Sequence, residues 1–431
     1  MYRKINQKLI EWKNSLYRKP LILQGARQVG KTWSVLAFGR ECYENVAYFN
    51  FESAPGLAKT FDESIDPDYL VPILSRLSGQ TIIKEKTLIV FDEVQLCERA
   101  LTSLKYFCES APEYHVIAAG SLLGVAVNRE KYSFPVGKVD MLTMHPLDME
   151  EFLLAYGEDE LVSCIYECFE NNSPMPAALH EAAMAYYRRY LVVGGMPECV
   201  DTFLSTKDFV LLRHIQAMIL NNYLNDMSKY NKENEIKKTR LTYNSITVQL
   251  SRKNTRFQYK LIKKGARAAE FENAIEWLTL SGIITRVYKA EQPKKPLENY
   301  RDIDDFKIYI SDTGLLCAKK EIVPDDILFN SAELSDFKGG LVENYVCTQL
   351  IANGYVCYYW MSNRGAEVDF VIQRKGEVIP IEVKSADNMK AKSLAVYIDS
   401  YVPAYAIKLT AGNFGLESGK KTIPLFAAFC L

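Results

Sequence analysis

The stretch PLILQGARQVGKT, residues 20–32, decides how the chain is read. The apolar run Leu21-Ile22-Leu23 leads into G-x-x-x-x-G-K-[ST]. Gly25, Gly30, Lys31 and Thr32 stand at its fixed places, with Ala26, Arg27, Gln28 and Val29 between them. The pattern requires a strand before it and a helix after it, and Trp33-Ser34-Val35-Leu36-Ala37-Phe38 continues as a helix. In that setting the backbone N–H groups from Gly25 to Lys31 wrap a β-phosphate at the positive end of the helix. Lys31 then reaches the β- and γ-phosphates, and the Thr32 hydroxyl takes one Mg²⁺ position. A bare glycine turn with a lysine beside it is the competing account, and it fails to explain a second signal downstream.

That signal is TLIVFDEVQ, residues 87–95. Leu88 to Phe91 run without alternation, as expected of a strand covered on both faces. Asp92 and Glu93 follow at its carboxyl end, where ligands of open α/β sheets gather. Asp92 is suited to hold Mg²⁺ through the ion's water shell, leaving Glu93 to act as general base on the attacking water. Loop and acidic pair together predict a nucleotide hydrolase that uses ATP and Mg²⁺.

Further strands are expected at 45–50 and 115–119, with helices at 70–80 and 98–109 and a turn-rich connection over 51–69. Repeated strand and helix signals predict a mostly parallel sheet with helices on its faces. Ser121, after Gly120, would leave that sheet beside the phosphate loop, where it either senses the γ-phosphate or orients water, or simply caps a helix. For an activator acting on a neighbour's nucleotide, Arg129, Lys131 and Lys138 are the candidates. Arg129 is preferred because its fork holds two phosphate oxygens.

Composition narrows the classes. At 431 residues the chain is long enough for two or three domains. Lys plus Arg number 52 against 53 Asp plus Glu, for a formal charge of −1. This excludes a wholly basic nucleic-acid protein but not a local basic patch. The amino terminus does not read as a secretory signal, and no apolar run is long enough to span a membrane. A cytoplasmic protein with no membrane-spanning segment is expected. The ten cysteines are scattered. The nearest pair, Cys164 and Cys168, has helical spacing, so buried free thiols are expected rather than a zinc site.

Residues 145–225 are rich in helix formers, interrupted at Gly194-Gly195-Met196-Pro197, and 208–228 reads as a long helix. Cations then crowd 229–267 around Phe257 and Tyr259: Lys229, Lys237, Lys238, Arg240, Arg252, Lys253, Arg256, Lys260, Lys263, Lys264 and Arg267. A helix over 270–280 and a strand over 283–288 follow. Helices leading into a hairpin predict a winged-helix-like unit that carries phosphate contacts to DNA, or else one that only docks domains or subunits.

Nearer the carboxyl end, AEVDFVIQRKGEVIPIEVKS reads as a hairpin turning at Arg374-Lys375-Gly376-Glu377. Two-residue periodicity places Glu382 and Lys384 on one face, and Glu367 and Asp369 on one face of the preceding strand. Glu343, in an apolar helix pattern, is placed to reach the same centre. Asp369 and Glu382 as Mg²⁺ ligands, Glu343 in support and Lys384 against developing charge would suit phosphodiester cleavage. A retained charged network on an inactive, structural or DNA-binding scaffold fits the same residues.

Taken together, GARQVGKT, VFDEVQ, AAGS (118–121), HPLDMEEFLLAYG (145–157) and FKIYISDTGLL (306–316) resemble the bacterial and archaeal AAA-like P-loop ATPases that carry a DUF4143-like domain. The resemblance extends over nearly the whole chain. It implies an α/β protein with an ASCE-type ATPase core at 1–145, a helical lid or linker at 146–228, a winged-helix-like region at 229–290 and a restriction-endonuclease-like α/β domain of the PD-(D/E)xK type at 291–431. It also implies nucleotide roles for Gly25, Gly30, Lys31, Thr32, Asp92, Glu93 and Ser121, and a homo-oligomer. Where the family often has Gly-Arg, this chain has Gly137-Lys138, which leaves the arginine finger unassigned.

Overall fold

The computed structural model describes residues 1–121, 123, 134–230, 233–252, 256–329, 335–384 and 392–431. The chain divides into two units. One comprises Tyr2–His145 with Leu280–Gly282; the other comprises Met1, Pro146–Thr279 and Ile283–Leu431.

In the first unit, strands β1 (Leu21–Gln24), β2 (Asn45–Asn50), β3 (Thr87–Asp92), β4 (His115–Gly120) and β5 (Asp140–Thr143) form one sheet in the order β2-β3-β4-β1-β5. Every pairing is parallel, so all five carboxyl ends lie along one edge. Each residue of β3 and β4 is buried, the reason both read as unbroken apolar runs. Helices α1 (Ile5–Asn14), α2 (Lys31–Cys42), α3 (Leu57–Glu63), α4 (Pro67–Ser78) and α5 (Glu98–Ser110) accompany the sheet.

The apolar stripe Ala100, Leu101, Leu104 and Phe107 of α5 packs in one core with Phe49, Phe61 and Phe91. There Phe61 stands edge-on to Phe91 at 5.5 Å between ring centroids, a favoured aromatic geometry. Helix α3 corrects the expected turn-rich connection at 51–69. Its Leu57 and Phe61, one helical turn apart, are both buried in this core, and tertiary burial there overrides weak local signals.

The second unit begins with α6 (Met149–Ala155), α7 (Asp159–Asn171), α8 (Ala177–Val193), α9 (Pro197–Thr206) and α10 (Phe209–Tyr230). A capping box starts α6. The Asp148 carboxylate accepts the Glu151 N–H at 2.9 Å, and Glu151 Oε2 accepts the Asp148 N–H at 3.2 Å, which gives LDMEEF a local physical reason. Helices α11 (Glu233–Leu250) and α12 (Ala268–Leu280) lead to strands β6 (Ile284–Ala290) and β7 (Arg301–Ile310). Helices α13 (Thr313–Lys319), α14 (Pro324–Leu328) and α15 (Ser335–Ala352) come next. Strands β8 (Tyr358–Met361), β9 (Glu367–Arg374) and β10 (Glu377–Val383), helix α16 (Lys392–Tyr401), and strands β11 (Ala406–Thr410), β12 (Gly415–Glu417) and β13 (Lys420–Pro424) complete the unit.

Its sheet has eight strands, ordered β12-β13-β11-β10-β9-β8-β6-β7. The hairpin β6-β7 therefore belongs to the same sheet as the carboxyl-terminal strands, through the parallel pairing of β6 with β8. The expected boundary between residues 290 and 291 runs between two hydrogen-bonded strands. The turn between β9 and β10 has Lys375 at φ +48° and Gly376 at φ +79°, the two positive angles of a tight hairpin.

One interlock explains two of the quoted motifs. The buried Asp312 caps α13 by accepting the Leu315 N–H at 2.8 Å, while its other oxygen accepts the Gly195 N–H at 2.6 Å. A Cβ on Gly195 would fall 2.0 Å from the Leu147 carbonyl oxygen, so no side chain is tolerated there. SDTGLL and GGMP thus meet at one carboxylate. All ten cysteines are free thiols, and among the described residues no helix is long and apolar enough to cross a membrane.

Candidate active site

In the first unit the phosphate loop joins β1 to α2. Gly25 has φ +149°, and a Cβ there would lie 2.2 Å from the Met144 carbonyl oxygen. Gln28 and Gly30 also have positive φ, 65° and 94°. This left-handed path turns successive N–H groups toward the start of α2, the arrangement that makes an anion-binding concavity. From outside the loop, Arg3 donates to the carbonyls of Val29 at 2.9 Å and His145 at 2.6 Å, bracing it against the exit of β5. Nothing in the sequence pattern pointed to Arg3, a lone arginine just ahead of α1; only its burial and its two acceptors expose the role.

Lys31 is buried at the first position of α2 and donates to the carbonyls of Gly25 at 2.9 Å and Ala26 at 2.8 Å. Burial pushes its ammonium down to about 8; Glu93 and Asp92 pull the other way, and Arg27 adds to the fall. Asp92 ends β3. Its Oδ2 accepts hydrogen bonds from Thr32 Oγ1 at 2.9 Å, the Tyr48 hydroxyl at 2.7 Å and Asn50 Nδ2 at 3.5 Å. The register sets Asn50 beside Asp92 on the neighbouring strand, so loop, β2 and β3 converge on one carboxylate oxygen. From sequence, Tyr48 and Asn50 read only as strand residues; their place at the carboxyl edge was the missed signal.

Glu93 takes φ +52° and turns the chain out of the sheet into the 3-10 turn Val94–Leu96. Burial raises its carboxyl above the ordinary range. The Gln95 amide, donating from Nε2 at 2.5 Å, pulls it back, Asp92 pushes it further up, and Lys31 and Arg27 lower it. Gln95 closes the TLIVFDEVQ stretch, and its sequence position alone gave it no role. Ser121 follows Gly120, which lies opposite Gln24 in the register. Its hydroxyl is buried with no hydrogen-bond partner among the described residues. Arg129 and Lys131 lie outside the described residues. Lys138 is half-exposed and paired with Glu109 at 3.0 Å, so its charge is already directed along the surface.

The second unit holds the other charged centre. Glu343 on α15, Asp369 on β9, and Glu382 with Lys384 at the end of β10 are brought together. Lys384 forms an ion pair with Glu382, and Asp369 Oδ2 accepts the Val383 N–H at 2.7 Å. Burial, then Glu343 and, beyond the opposing Lys307, Glu382 hold the Asp369 carboxyl well above its usual range. Lys307 of β7 is an addition that sequence alone did not single out. It is 1% exposed and forms ion pairs with Glu367 and, at 3.6 Å, with Glu343. Its neighbour on the same strand face, Tyr309, donates to Glu343 at 3.1 Å. A lysine inside an apolar-looking strand was the available signal. Among the described residues no group of three His, Cys, Asp or Glu side chains is arranged to hold a metal ion.

Residues 17–153 match the AAA domain family, 184–326 a domain of unknown function, DUF8612, and 338–427 a domain of unknown function, DUF4143. The DUF8612 match takes in β6 and β7, although both lie in one sheet with the DUF4143 strands. No curated protein matches the chain. Among solved structures it is similar to a Walker-type ATPase of Pyrococcus abyssi at 15% identity and TM-score 0.44, covering 74% of this chain and 95% of that one. It is also similar to the ORC2 protein of Aeropyrum pernix at 12% identity and TM-score 0.38, covering 77% and 94%. With its phosphate loop, parallel sheet and acidic strand end in place, the chain carries an AAA-type P-loop ATPase domain over residues 17–153 and a DUF4143 domain over residues 338–427.

Proposed function

We propose that the protein hydrolyses ATP with Mg²⁺ at the edge of the parallel sheet and passes its nucleotide state to a nucleic-acid-binding module in the second unit. The observation that carries the first half is the hydrogen bond between Thr32 and Asp92. It joins the two groups that this reaction requires around one ion, with Glu93 next in the chain. Thr32 and, through water, Asp92 would hold Mg²⁺, whose charge neutralises the β- and γ-phosphate oxygens. Lys31 leaves the Gly25 and Ala26 carbonyls for the phosphates, and the N–H groups of the loop hold their oxygens. Glu93 takes the proton of the attacking water, and Ser121 offers its hydroxyl near the γ-phosphate. Glu93→Gln should keep nucleotide binding and lose turnover, and Lys31→Ala should weaken both. Undiminished phosphate release from folded Glu93→Gln protein would remove the proposed base.

Support for the second half comes from element order. Helix α11 is followed by a bridge of Arg256 to Lys307 on β7, then α12 and the β6-β7 hairpin, as in a winged helix. Exposed Lys260, Lys263, Lys264 and Arg267 precede α12, and Lys294 and Lys295 lie between the strands. The accessible side of α12 carries Glu270, Glu276 and the neutral Asn273, with Glu272 paired to Arg286; its carboxylates disfavour a phosphate backbone. Contacts would therefore come from the turn and the hairpin loop, positioning DNA without reading its bases.

The acidic α12 also favours a second reading, an NTPase switch that binds a protein partner. Titrating labelled duplex and single-stranded DNA, with and without ATP, separates the two. Salt-sensitive binding supports the nucleic-acid reading; a folded chain that binds neither probe at low salt supports the switch. Homo-oligomerisation is part of the same proposal and predicts turnover per chain that rises with protein concentration.

A further inference from the structure

The carboxylates of the second unit come from three elements and gather into one acidic centre, the kind of charge that a divalent cation would otherwise offset. Glu343 projects from α15, Glu367 and Asp369 from β9, and Glu382 from β10. The fold already supplies a cation there. Lys307 enters from β7, pairs with Glu343 and Glu367, and lies with its Nζ 5.0 Å from the centre of the Tyr359 ring. It shares its strand face with Tyr309, which holds Glu343, and with the buried Asp305, which holds Arg256 at 2.8 Å. The register of β7 against β6 fixes it in place.

A divalent ion needs oxygen ligands on several sides at short range. The ammonium takes two of those carboxylates, Lys384 takes Oε1 of Glu382 and the Val383 N–H takes an oxygen of Asp369; Glu382 Oε2 is buried with no hydrogen-bond partner among the described residues, but no three of these side chains are arranged around one ion. The residues present do not fit a metal.

We infer that Lys307 is a resident cation in place of a divalent metal ion, so that this centre is a metal-independent charge lock joining β7 and α15 to the β9-β10 hairpin and does not cleave phosphodiesters. Burial opposes the ammonium, but Glu343, Glu367 and Asp369 more than offset it and hold Lys307 above its ordinary value. The inference is separate from nucleic-acid binding, because neither nucleotide nor DNA enters the binding assay.

Mn²⁺ is titrated into the full chain without nucleotide, and the free ion is followed by electron paramagnetic resonance. The unaltered protein and Asp369→Asn should give the same titration. Lys307→Ala and Lys307→Met, checked for folding by circular dichroism and retained ATPase activity, should gain one bound Mn²⁺ that is lost again when Asp369→Asn is added. Mn²⁺ binding by the unaltered chain that Asp369→Asn abolishes would overturn the inference. So would Mn²⁺-dependent DNA cleavage by the unaltered chain, or folded Lys307 variants that gain no ion. If neither Lys307 variant folds, the unaltered chain against Asp369→Asn still decides: identical titrations support the lock, and a lost site refutes it.

Discussion

Replacing Gln95 by Leu should move the acid limb of the ATPase pH profile upward. Gln95 donates one hydrogen bond to the Glu93 carboxylate at 2.5 Å, and its own Oε1 is buried with no partner among the described residues. Leucine fills similar space, so the change removes the bond while keeping the packing against Gly120. A hydrogen bond to a charged group contributes about 1.5–3 kcal/mol. Its loss therefore raises the carboxyl further above its ordinary range. The sign follows from the direction already present. Burial raises Glu93 and Gln95 lowers it, so without Gln95 the base is protonated over a wider acidic range. Turnover falls there, while the plateau at high pH is unchanged. The assay is phosphate release at saturating ATP and Mg²⁺ across the pH range, with Glu93→Gln as the reference that loses about 10²–10⁴ in rate. A Gln95→Leu enzyme with the unaltered limb, or with a uniform loss at every pH, would refute the reasoning. A uniform loss would mean that Gln95 acts on the fold and not on the proton.

Four further outcomes are expected. Asp312→Ala leaves the Gly195 and Leu315 N–H groups buried without their acceptor, a cost of about 2–6 kcal/mol in urea denaturation; an unchanged midpoint would remove the interlock from the account of stability. Burial pushes the Asp312 carboxyl up to about 6 against the backbone hydrogen bonds that lower it. Its contribution is therefore full below the ordinary aspartate pKa of about 3.9 and is lost as pH rises toward 6, so the Ala variant should cost more in acid than at neutral pH. Gly25→Ala forces a Cβ to 2.2 Å from the Met144 carbonyl and should weaken nucleotide binding about tenfold or more, roughly 1.4 kcal/mol, by equilibrium titration. If the DNA reading holds, joint replacement of Lys263, Lys264 and Arg267 by Ala should reduce the salt slope of binding by about 0.9 for each phosphate that is no longer neutralised.

The fold class was legible because its signals were local. GARQVGKT carries its own turn chemistry, and β3 and β4 announce double-sided burial through composition. Helix α3 was not legible, because Leu57 and Phe61 gain their helix from a core built by distant residues. Nor was the continuity of β6 with β8. Parallel pairing between segments about seventy residues apart leaves no periodic mark in either, and the turn after β6 looks like the end of a small module. At the sites, residues belonging to a motif were nameable from sequence. Arg3, Tyr48, Asn50, Gln95 and Lys307 act through placement alone, and placement is a property of register and burial.

The two buried lysines show how the same side chain is used in opposite ways. Lys31 is drawn below its ordinary pKa because burial outweighs the two carboxylates near it, and Glu93 beside it is raised for the same reason. Both charges are therefore undercompensated within the protein. An anion that brings its own cation, as ATP brings Mg²⁺, would improve the electrostatics of every group there, and that differential stabilisation is what binding requires. Lys307 is buried at least as deeply, yet three carboxylates lift it above its ordinary value. Its charge is matched before any ligand arrives, so an incoming cation would have to break existing ion pairs and an incoming phosphate would meet carboxylates. Burial alone thus does not mark a working site. What separates the two lysines is whether carboxylates already outweigh the cost of burying the ammonium, as at Lys307, or leave it for an anion to match, as at Lys31.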